Sequence, residues 1–397
     1  MPRNVVVIAI DRLGAGWLGP YGNTWVETPT LNQLAAESVL CEFLVSDSHA
    51  LAAVYRSLLS GQPAWHTAGS DVSSTLPQLA NAAGYQTLLV TDAAEVAHHP
   101  SAAAFEQIDL LTWQRAASSA KSPDRTRSAE VFSAALEALT AASQPRLLWI
   151  HAAAMNAVWD APLALREKVT AEGDPEPLEL VEPPSFELAK GYDPDQLLGV
   201  VQAYGAEVMS LDSALATLLK GIDNVCDPAE TLILFTSPRG YPLGEHRYVG
   251  HAGDALRGEV LQVPLLIRYP GQAGRLTRLN QLQQLTDLFE FLSQVLQTEE
   301  PVALENEAIE CVIARAGDEL ALRTRHWFYR ETGDPATRRS ELYTKPDDRW
   351  EVNEISQRAV DVSEAFAEIA DWLRANRTSP SHPNLPSLPE ILTQARR

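Results

Sequence analysis

The chain has 397 residues, of which 45% are hydrophobic, and it carries a formal net charge of -21 at pH 7. This length and apolar content predict one large α/β domain with an appendage, or two domains, with enough material for a buried core. The negative charge argues against nucleic acid as a partner, because phosphate contacts need a basic face. It also disfavours capture of sulfated or phosphorylated molecules, unless a local positive pocket overrides the overall field.

The sequence gives no sign of export or membrane insertion. No apolar run approaches the ~18 residues that span a bilayer. The opening segment MPRNVVVIAID reads as a buried strand rather than a signal peptide, since Asp11 and Arg12 end its apolar run. Cys41, Cys226 and Cys311 are odd in number and widely spaced, which argues against a disulfide framework. We therefore expect a cytoplasmic protein that binds no membrane.

Short apolar runs of strand length alternate with helical patterns over most of the chain up to about residue 298. Such alternation predicts an α/β fold with a doubly wound, mostly parallel sheet. The strands are predicted at 4–10, 39–45, 85–91, 146–151, 231–236 and 263–267, and the helices at 31–38, 75–83, 128–143, 196–219 and 286–297.

The rest of the chain has a different pattern. Short strands are predicted at 308–314, 319–325, 326–330 and 341–343, followed by a helix at 362–374. These elements predict a smaller C-terminal α+β subdomain built on an antiparallel meander. We place the domain boundaries at 1–298, 299–376 and a loosely ordered tail at 377–397.

Two features suggest where chemistry would be located. Asp11 stands at the carboxyl end of the first strand, where open α/β sheets bind ligands. The second is the stretch SHALAAVYRSLLSG, residues 48–61. Its end, 57–61, reads as the first turns of a helix that stops at Gly61, and its apolar segment 50–55 carries no nucleophile until Tyr55. Its later hydroxyls, Ser57 and Ser60, are expected to serve helix capping or burial.

Several ordered motifs resemble the sulfatases of the alkaline phosphatase superfamily, and the likeness covers nearly the whole chain. It implies an alkaline phosphatase/sulfatase-like fold. The motifs are NVVVIAIDRLGAGWLGPYGN, TLILFTSPRGYPLGEH, VPLLIRYPG and ELYTKPDDRWEVNEIS.

The resemblance also implies that the reactive atom is missing. In the family, a Cys-x-Pro-x-Arg signature precedes a tail like residues 58–61, and its Cys or Ser is oxidised to formylglycine. Aligning the tails puts Leu51 at the nucleophile, Ala53 at the proline and Tyr55 at the arginine. Leu51 has no ionisable atom, so covalent turnover is not expected.

The metal site of the family is similarly altered. Its members hold a hard divalent cation, usually calcium, with carboxylates and an amide. Asp11 matches the first ligand, whereas Arg12, Pro238 and Arg239 stand at other ligand positions. We hypothesise that the arginines take over the role of the cation by pairing with Asp11. No cofactor is expected.

Two further catalytic positions also differ from the family. The catalytic histidine of the family corresponds to Asn156, which lies shortly after the strand-end His151, and the late lysine corresponds to His251. His151, His251 and Arg239 remain candidates for contacting an anion.

A relocated metal site around Glu245, His246 and His251 is a further alternative. Loop histidines without a third ligand at fixed spacing are more often polar surface. We therefore favour the surface interpretation for these two histidines.

The favoured hypothesis is a catalytically degenerate sulfatase-like protein, a pseudoenzyme, that binds a small anionic ligand or a protein partner. The alternative is a working metal-dependent hydrolase of sulfuric or phosphoric esters with a rearranged site around Asp11, His151 and His251. A third possibility is a structural subunit that pairs with an active homologue.

Overall fold

Fourteen strands are present in a computed structural model that describes residues 2–67, 74–114, 118–179, 181–300, 302–304, 309–333, 337–379 and 385–394. Eight of them form one large sheet: β1 Asn4–Ile10, β2 Val39–Val45, β3 Gln86–Thr91, β4 Gln107–Leu110, β5 Arg146–Ala152, β7 Thr231–Thr236, β9 Gln262–Arg268 and β10 Thr277–Gln284. Two short strands pair separately: β6 Phe186–Glu187 and β8 Tyr248–Val249. The last four form a second sheet: β11 Val312–Ala316, β12 Glu319–Arg323, β13 Trp327–Thr332 and β14 Arg339–Thr344.

The large sheet has the order β10-β2-β9-β7-β1-β5-β3-β4. Only β9 runs antiparallel to its neighbours, and the other pairs are parallel. The predicted mostly parallel sheet is therefore confirmed. The central position of β1 explains its continuous apolar sequence, since a strand covered on both faces needs no polar alternation.

Helices cover both faces of this sheet. The α-helices among the described residues are α1 Pro29–Ala36, α2 Leu51–Ser60, α3 Leu76–Ala82, α4 Ala94–Ala97, α5 Arg127–Ala141, α6 Leu163–Lys168, α7 Pro194–Val225, α8 Gly258–Leu261, α9 Leu285–Gln297, α10 Val360–Asn376 and α11 Glu390–Thr393. Within the described ranges, no helix is both long and apolar enough to cross a membrane.

Alternate residues of β1 enter two separate apolar cores. Val6 and Ile8 pack in the core that contains α1, α5 and α7, whereas Val5 and Val7 pack in the core that contains α2, α3 and α9. This division follows from the two-residue period of a strand. It makes the fold doubly wound, as predicted.

The second sheet also has two covered faces. One face packs against α10, and on this face the rings of Tyr329 and Phe366 stack with centroids 5.3 Å apart. The other face contributes Phe328 and Val312 to an apolar cluster that includes Val45 of the large sheet. The smaller antiparallel α+β unit is therefore present, while its predicted boundaries at 299–376 remain predictions.

Some elements differ from the sequence-based prediction. The strands β4, β6, β8 and β10 were not predicted, and β10 shows why: its sequence TRLNQLQQ is polar and its first half is largely exposed at the sheet edge. An edge strand exposed to water does not need the apolar pattern on which strand prediction relies. The tail contains the short helix α11, and the predicted strand at 308–314 begins outside the described residues.

Gly61 ends α2 in the left-handed region, with φ +66°, and a Cβ atom there would lie 2.5 Å from Cδ1 of Phe289. We expect Gly61→Ala to reduce the free energy of unfolding by about 1–3 kcal/mol, because overpacking adds to the backbone strain. Gly84→Ala is the matched control, since Gly84 has φ +86° and open space around it. Urea denaturation that gave equal losses for both variants would contradict this steric explanation.

Candidate functional site

The centre of the site is a buried ion pair at the carboxyl edge of the large sheet. Asp11 follows β1, and Arg239 lies just beyond the neighbouring parallel strand β7. The Nε and Nη2 atoms of Arg239 each donate to one carboxylate oxygen of Asp11, both at 3.0 Å. Both residues are buried. This bidentate geometry is the strongest arrangement available to a guanidinium and a carboxylate.

The pair fixes the charge state of Asp11. Burial acts to raise the pKa of Asp11, but the charge and hydrogen bonds of Arg239 outweigh it, so the pKa lies below its ordinary value. The pKa of Arg239 is raised, since attraction to Asp11 outweighs the opposing effect of burial. Asp11 is therefore an ionised carboxylate whose two oxygens already have a cationic partner.

A second ion pair lies beside the first. Arg12 is buried, and its Nη1 and Nη2 atoms donate to the two carboxylate oxygens of Asp254 at 2.5 and 2.8 Å. Its Nη2 atom also lies 3.0 Å from Nδ1 of His251. Arg12 has φ +65°, a conformation strained for a non-glycine residue, and Tyr204 holds its carbonyl oxygen with a 2.7 Å hydrogen bond.

A neutral hydrogen-bonded chain accompanies the two ion pairs. The hydroxyl of Tyr55 on α2 lies 2.6 Å from Nδ1 of His151 at the end of β5, and Nε1 of Trp149 donates to that hydroxyl at 3.3 Å. All three side chains are buried. Burial lowers the pKa of His151 to about 4 and raises the pKa of Tyr55 well above its ordinary value. Both groups are therefore uncharged near neutral pH.

The residues at the vestigial positions are placed as follows. Leu51 is the first residue of α2 and packs in an apolar cluster with Val54 and Leu58. Asn156 lies in a short turn after β5, and its Oδ1 atom is buried without a hydrogen-bond partner among the described residues. His251 has 47% of its side chain exposed, beside Arg12 and Asp254.

These residues do not fit the divalent cation that the resemblance implies. A hard cation such as calcium needs several free oxygen ligands converging on one point. Both oxygens of Asp11 are engaged by Arg239, and both oxygens of Asp254 are engaged by Arg12. The arrangement agrees with the hypothesis that Arg239 pairs with Asp11, whereas Arg12 has a different carboxylate as its partner.

The two loop histidines of the alternative metal site have different neighbours. His246 lies with Glu259 and Glu351, and their ligand atoms fall within 4.8 Å of one another. Two cations already accompany this group, since Lys345 lies 3.1 Å from Glu351 and Arg257 lies 3.4 Å from His246. His251 instead belongs to the Arg12 ion pair.

Three carboxylates that accept hydrogen bonds in this region are absent from the sequence-based prediction. Asp254 pairs with Arg12, Asp92 accepts the backbone N–H of Ala153 at 2.7 Å, and Asp47 accepts hydrogen bonds from Ser57 and the backbone of Ala64. Burial raises the pKa of both Asp47 and Asp92 to about 6. The position of Asp92 directly after β3 was an available signal, because it shares the carboxyl edge with Asp11.

Comparison with known proteins shows the family of this chain. The sulfatase family pattern matches residues 3–298 of the chain. The chain belongs to the sulfatase family. Human iduronate 2-sulfatase is 24% identical over 364 residues, which cover 74% of this chain and 64% of that protein. The chain thus matches slightly less than two thirds of the length of this relative.

Solved structures share the fold at low sequence identity. The phosphonate monoester hydrolase of Agrobacterium radiobacter has a TM-score of 0.75 at 16% identity, covering 94% of this chain and 96% of that one. A protein solved with its substrate D-glucosamine-2-N,6-O-disulfate has a TM-score of 0.69 at 13% identity, covering 95% and 98%. These likenesses establish the α/β architecture of the sulfatase-family chain.

Replacing Arg239 by Met leaves Asp11 as a buried carboxylate without a partner. We expect the free energy of unfolding to fall by about 3–5 kcal/mol in chemical denaturation, because such a charge loses its compensation. The double variant Asp11→Asn/Arg239→Met removes both charges and should recover a large part of this loss. A double variant as unstable as the single one would show that the ion pair is not the cause.

The buried His151 should make stability depend on pH. Its pKa is about 4 in the folded protein and 6.5 when unperturbed, so the unfolded state binds the proton first as the pH falls. The free energy of unfolding therefore falls by roughly 3 kcal/mol in total as the pH is lowered from 6.5 to about 4. Above pH 6.5 His151 is neutral in both states, and its stabilising contribution is fully present.

The measurement compares the wild type with His151→Gln by urea denaturation across this pH range. The difference between the two proteins should change over that window, and the exposed His98→Gln variant serves as the control. A constant difference between wild type and His151→Gln would contradict the assigned pKa.

Proposed function

We propose that this sulfatase-family protein lacks hydrolytic activity and acts by binding a small anionic molecule or a protein partner. The observation that carries the proposal is the bidentate Arg239–Asp11 pair, which engages the carboxylate that matches the first metal ligand of the family. A guanidinium supplies positive charge at this point but cannot activate a water or a hydroxyl as a metal ion does.

The remaining residues support the same conclusion. Covalent hydrolysis needs an activated nucleophile beside a base or a charge stabiliser. Leu51 has no such atom, and the buried phenol of Tyr55 is kept neutral by its raised pKa. His151 is within hydrogen-bonding distance of Tyr55, but both are fully buried, so neither is open to a substrate.

One observation favours the alternative, a metal-dependent ester hydrolase with a rearranged site. His251 is half exposed, so an anion could reach its imidazole there, next to the buried Arg12–Asp254 pair. The names of the relatives, iduronate 2-sulfatase and phosphonate monoester hydrolase, describe sulfate and phosphonate chemistry in those proteins. The ion pairs around Asp11 make this alternative the weaker one.

We also propose a cytoplasmic location. Cys41, Cys226 and Cys311 are all buried and unpaired, as is usual for proteins of reducing compartments. The large negative charge continues to disfavour nucleic acid as a partner.

The test is an assay of the purified protein with 4-nitrophenyl sulfate and 4-nitrophenyl phosphate, each with calcium, magnesium, manganese or zinc. We expect no turnover above the blank, and no saturable calcium binding by calorimetry, because the carboxylate oxygens of Asp11 are engaged. Metal-dependent turnover that disappears in Asp11→Ala would establish the alternative and refute the proposal. An active sulfatase assayed in parallel verifies the substrates.

A further inference from the structure

A concentration of positive charge lies between the two sheets, away from Asp11 and its partners. It is unusual in a chain with a net charge of -21. A cavity of about 420 Å³ is lined by the loop after β1, by β2 and β10, and by side chains of the C-terminal unit. Its cationic lining consists of Arg278, Arg323, Lys345 and Arg349, and its carboxylate is Glu42.

Arg323, at the end of β12, is the most informative of these cations. It is only 8% exposed, and its Nε atom is buried without a hydrogen-bond partner among the described residues. Its guanidinium lies over the ring of Phe43, 5.4 Å from the centroid. A buried guanidinium donor without an acceptor is unfavourable, and a bound oxyanion would supply the missing acceptors.

The neighbouring cations differ in how far they are already satisfied. Lys345 is engaged by Glu351 at 3.1 Å, and Arg278 lies 3.3 Å from Glu42 at the surface. Arg349 is exposed and its guanidinium lies over the ring of Trp350. Arg323 and Arg349 are therefore the cations best placed to receive an anion.

A second cavity of about 440 Å³ adjoins the first. The two share Arg323 and Phe43 in their linings. The second cavity adds the apolar side chains of Leu282 and Ile309, and Pro346 lines both cavities. Its carboxylates, Glu42 and Glu310, lie in the same lining as Arg323 and Arg325. Arg323 and Phe43 thus join a cationic compartment to a partly apolar one.

We infer that these two cavities form one binding site for an amphiphilic organic oxyanion, a sulfate, sulfonate or phosphate group carried on an apolar ring or chain. The oxyanion would accept hydrogen bonds from Arg323 and Arg349, and the apolar body would lie against Phe43, Leu282 and Ile309. This inference deepens the proposed function, because it rests on the binding role and assigns that role a site and a ligand class.

The burial of Arg323 supports a built site rather than a chance grouping of surface charge. The residue lies in the ladder between β11 and β13, so the strand pairing fixes its position. The aromatic ring of Phe43 on β2 holds the guanidinium from the large sheet. Both sheets therefore contribute to the orientation of one cation.

The experiment is isothermal titration calorimetry of the full chain with 1-naphthalenesulfonate, an amphiphilic anion that cannot be hydrolysed. We expect saturable binding, with methanesulfonate and 1-naphthol each binding at least about tenfold more weakly, because each lacks one half of the recognition. Equal affinity for methanesulfonate or for 1-naphthol would overturn the amphiphilic class. Absence of binding would overturn the site.

Variants locate the binding. Arg323→Met should weaken 1-naphthalenesulfonate at least about tenfold, and Arg349→Gln should weaken it by a smaller factor, since each removes a charged donor. The exposed Arg275→Met variant lies outside both linings and should bind as the wild type does.

A thermal melt of each variant verifies folding, and if Arg323→Met does not fold, the exposed Arg349→Gln variant decides. Wild-type affinity in both variants would refute the assignment. Loss of binding in His251→Gln would then place the ligand near Arg12. In that case the proposed binding function would hold, and the assignment of the site to the Arg323 cavities would be wrong. The turnover assay tests the loss of hydrolysis separately, because the sulfonate probe cannot report it.

Discussion

The ion pair between Asp11 and Arg239 is the interaction on which the carboxyl edge of the large sheet depends. Asp11 is held at the end of β1, one of the two central strands, where no water reaches it, so its charge requires a partner inside the protein. Arg239 lies just beyond the adjacent strand β7 and supplies that partner with two hydrogen bonds. Its Nη1 atom also donates to the carbonyl oxygen of His49, which ties the approach to α2 to the same point.

The other residues at this edge compensate one another in the same way. Arg12 and Asp254 form a second pair, and the hydroxyl of Tyr55 is hydrogen-bonded to Nδ1 of His151. Nε of Arg12 and Nε2 of His151 are buried without a hydrogen-bond partner among the described residues. A site that must bind a metal or an ester needs charges that its own fold leaves unbalanced. Here the carboxylates of Asp11 and Asp254 are paired with arginines of the same chain, so these ion pairs help to hold the carboxyl edge of a sulfatase-family fold together.

The cavities near Arg323 also contain a buried arginine atom without an acceptor in the part of the chain that the structure describes. The guanidinium is buried by the pairing of β12 with its neighbours and by the Phe43 ring, yet its Nε atom has no acceptor among the described residues. Such a local excess of positive charge within an acidic protein can attract an anion although the overall field repels it. The amino-acid sequence indicates this condition but not where the pocket lies.

The sequence by itself determined the family and the main sheet, because a strand buried on both faces must be apolar and its end must carry the polar residues of the edge. It also identified Leu51 and Arg239 as positions that differ from the family motifs, and Asp11 as a position that matches them, since these assignments depend only on alignment with ordered motifs. The tertiary structure alone decided the partners: Asp254 for Arg12, Tyr55 for His151, and the meeting of β2 with β12 at Arg323. These contacts join residues far apart in the chain, and side-chain pairing at that range leaves no periodic pattern in the sequence. The polar edge strand β10 was missed for a related reason, because its position is set by pairing with β2 and not by an apolar pattern of its own.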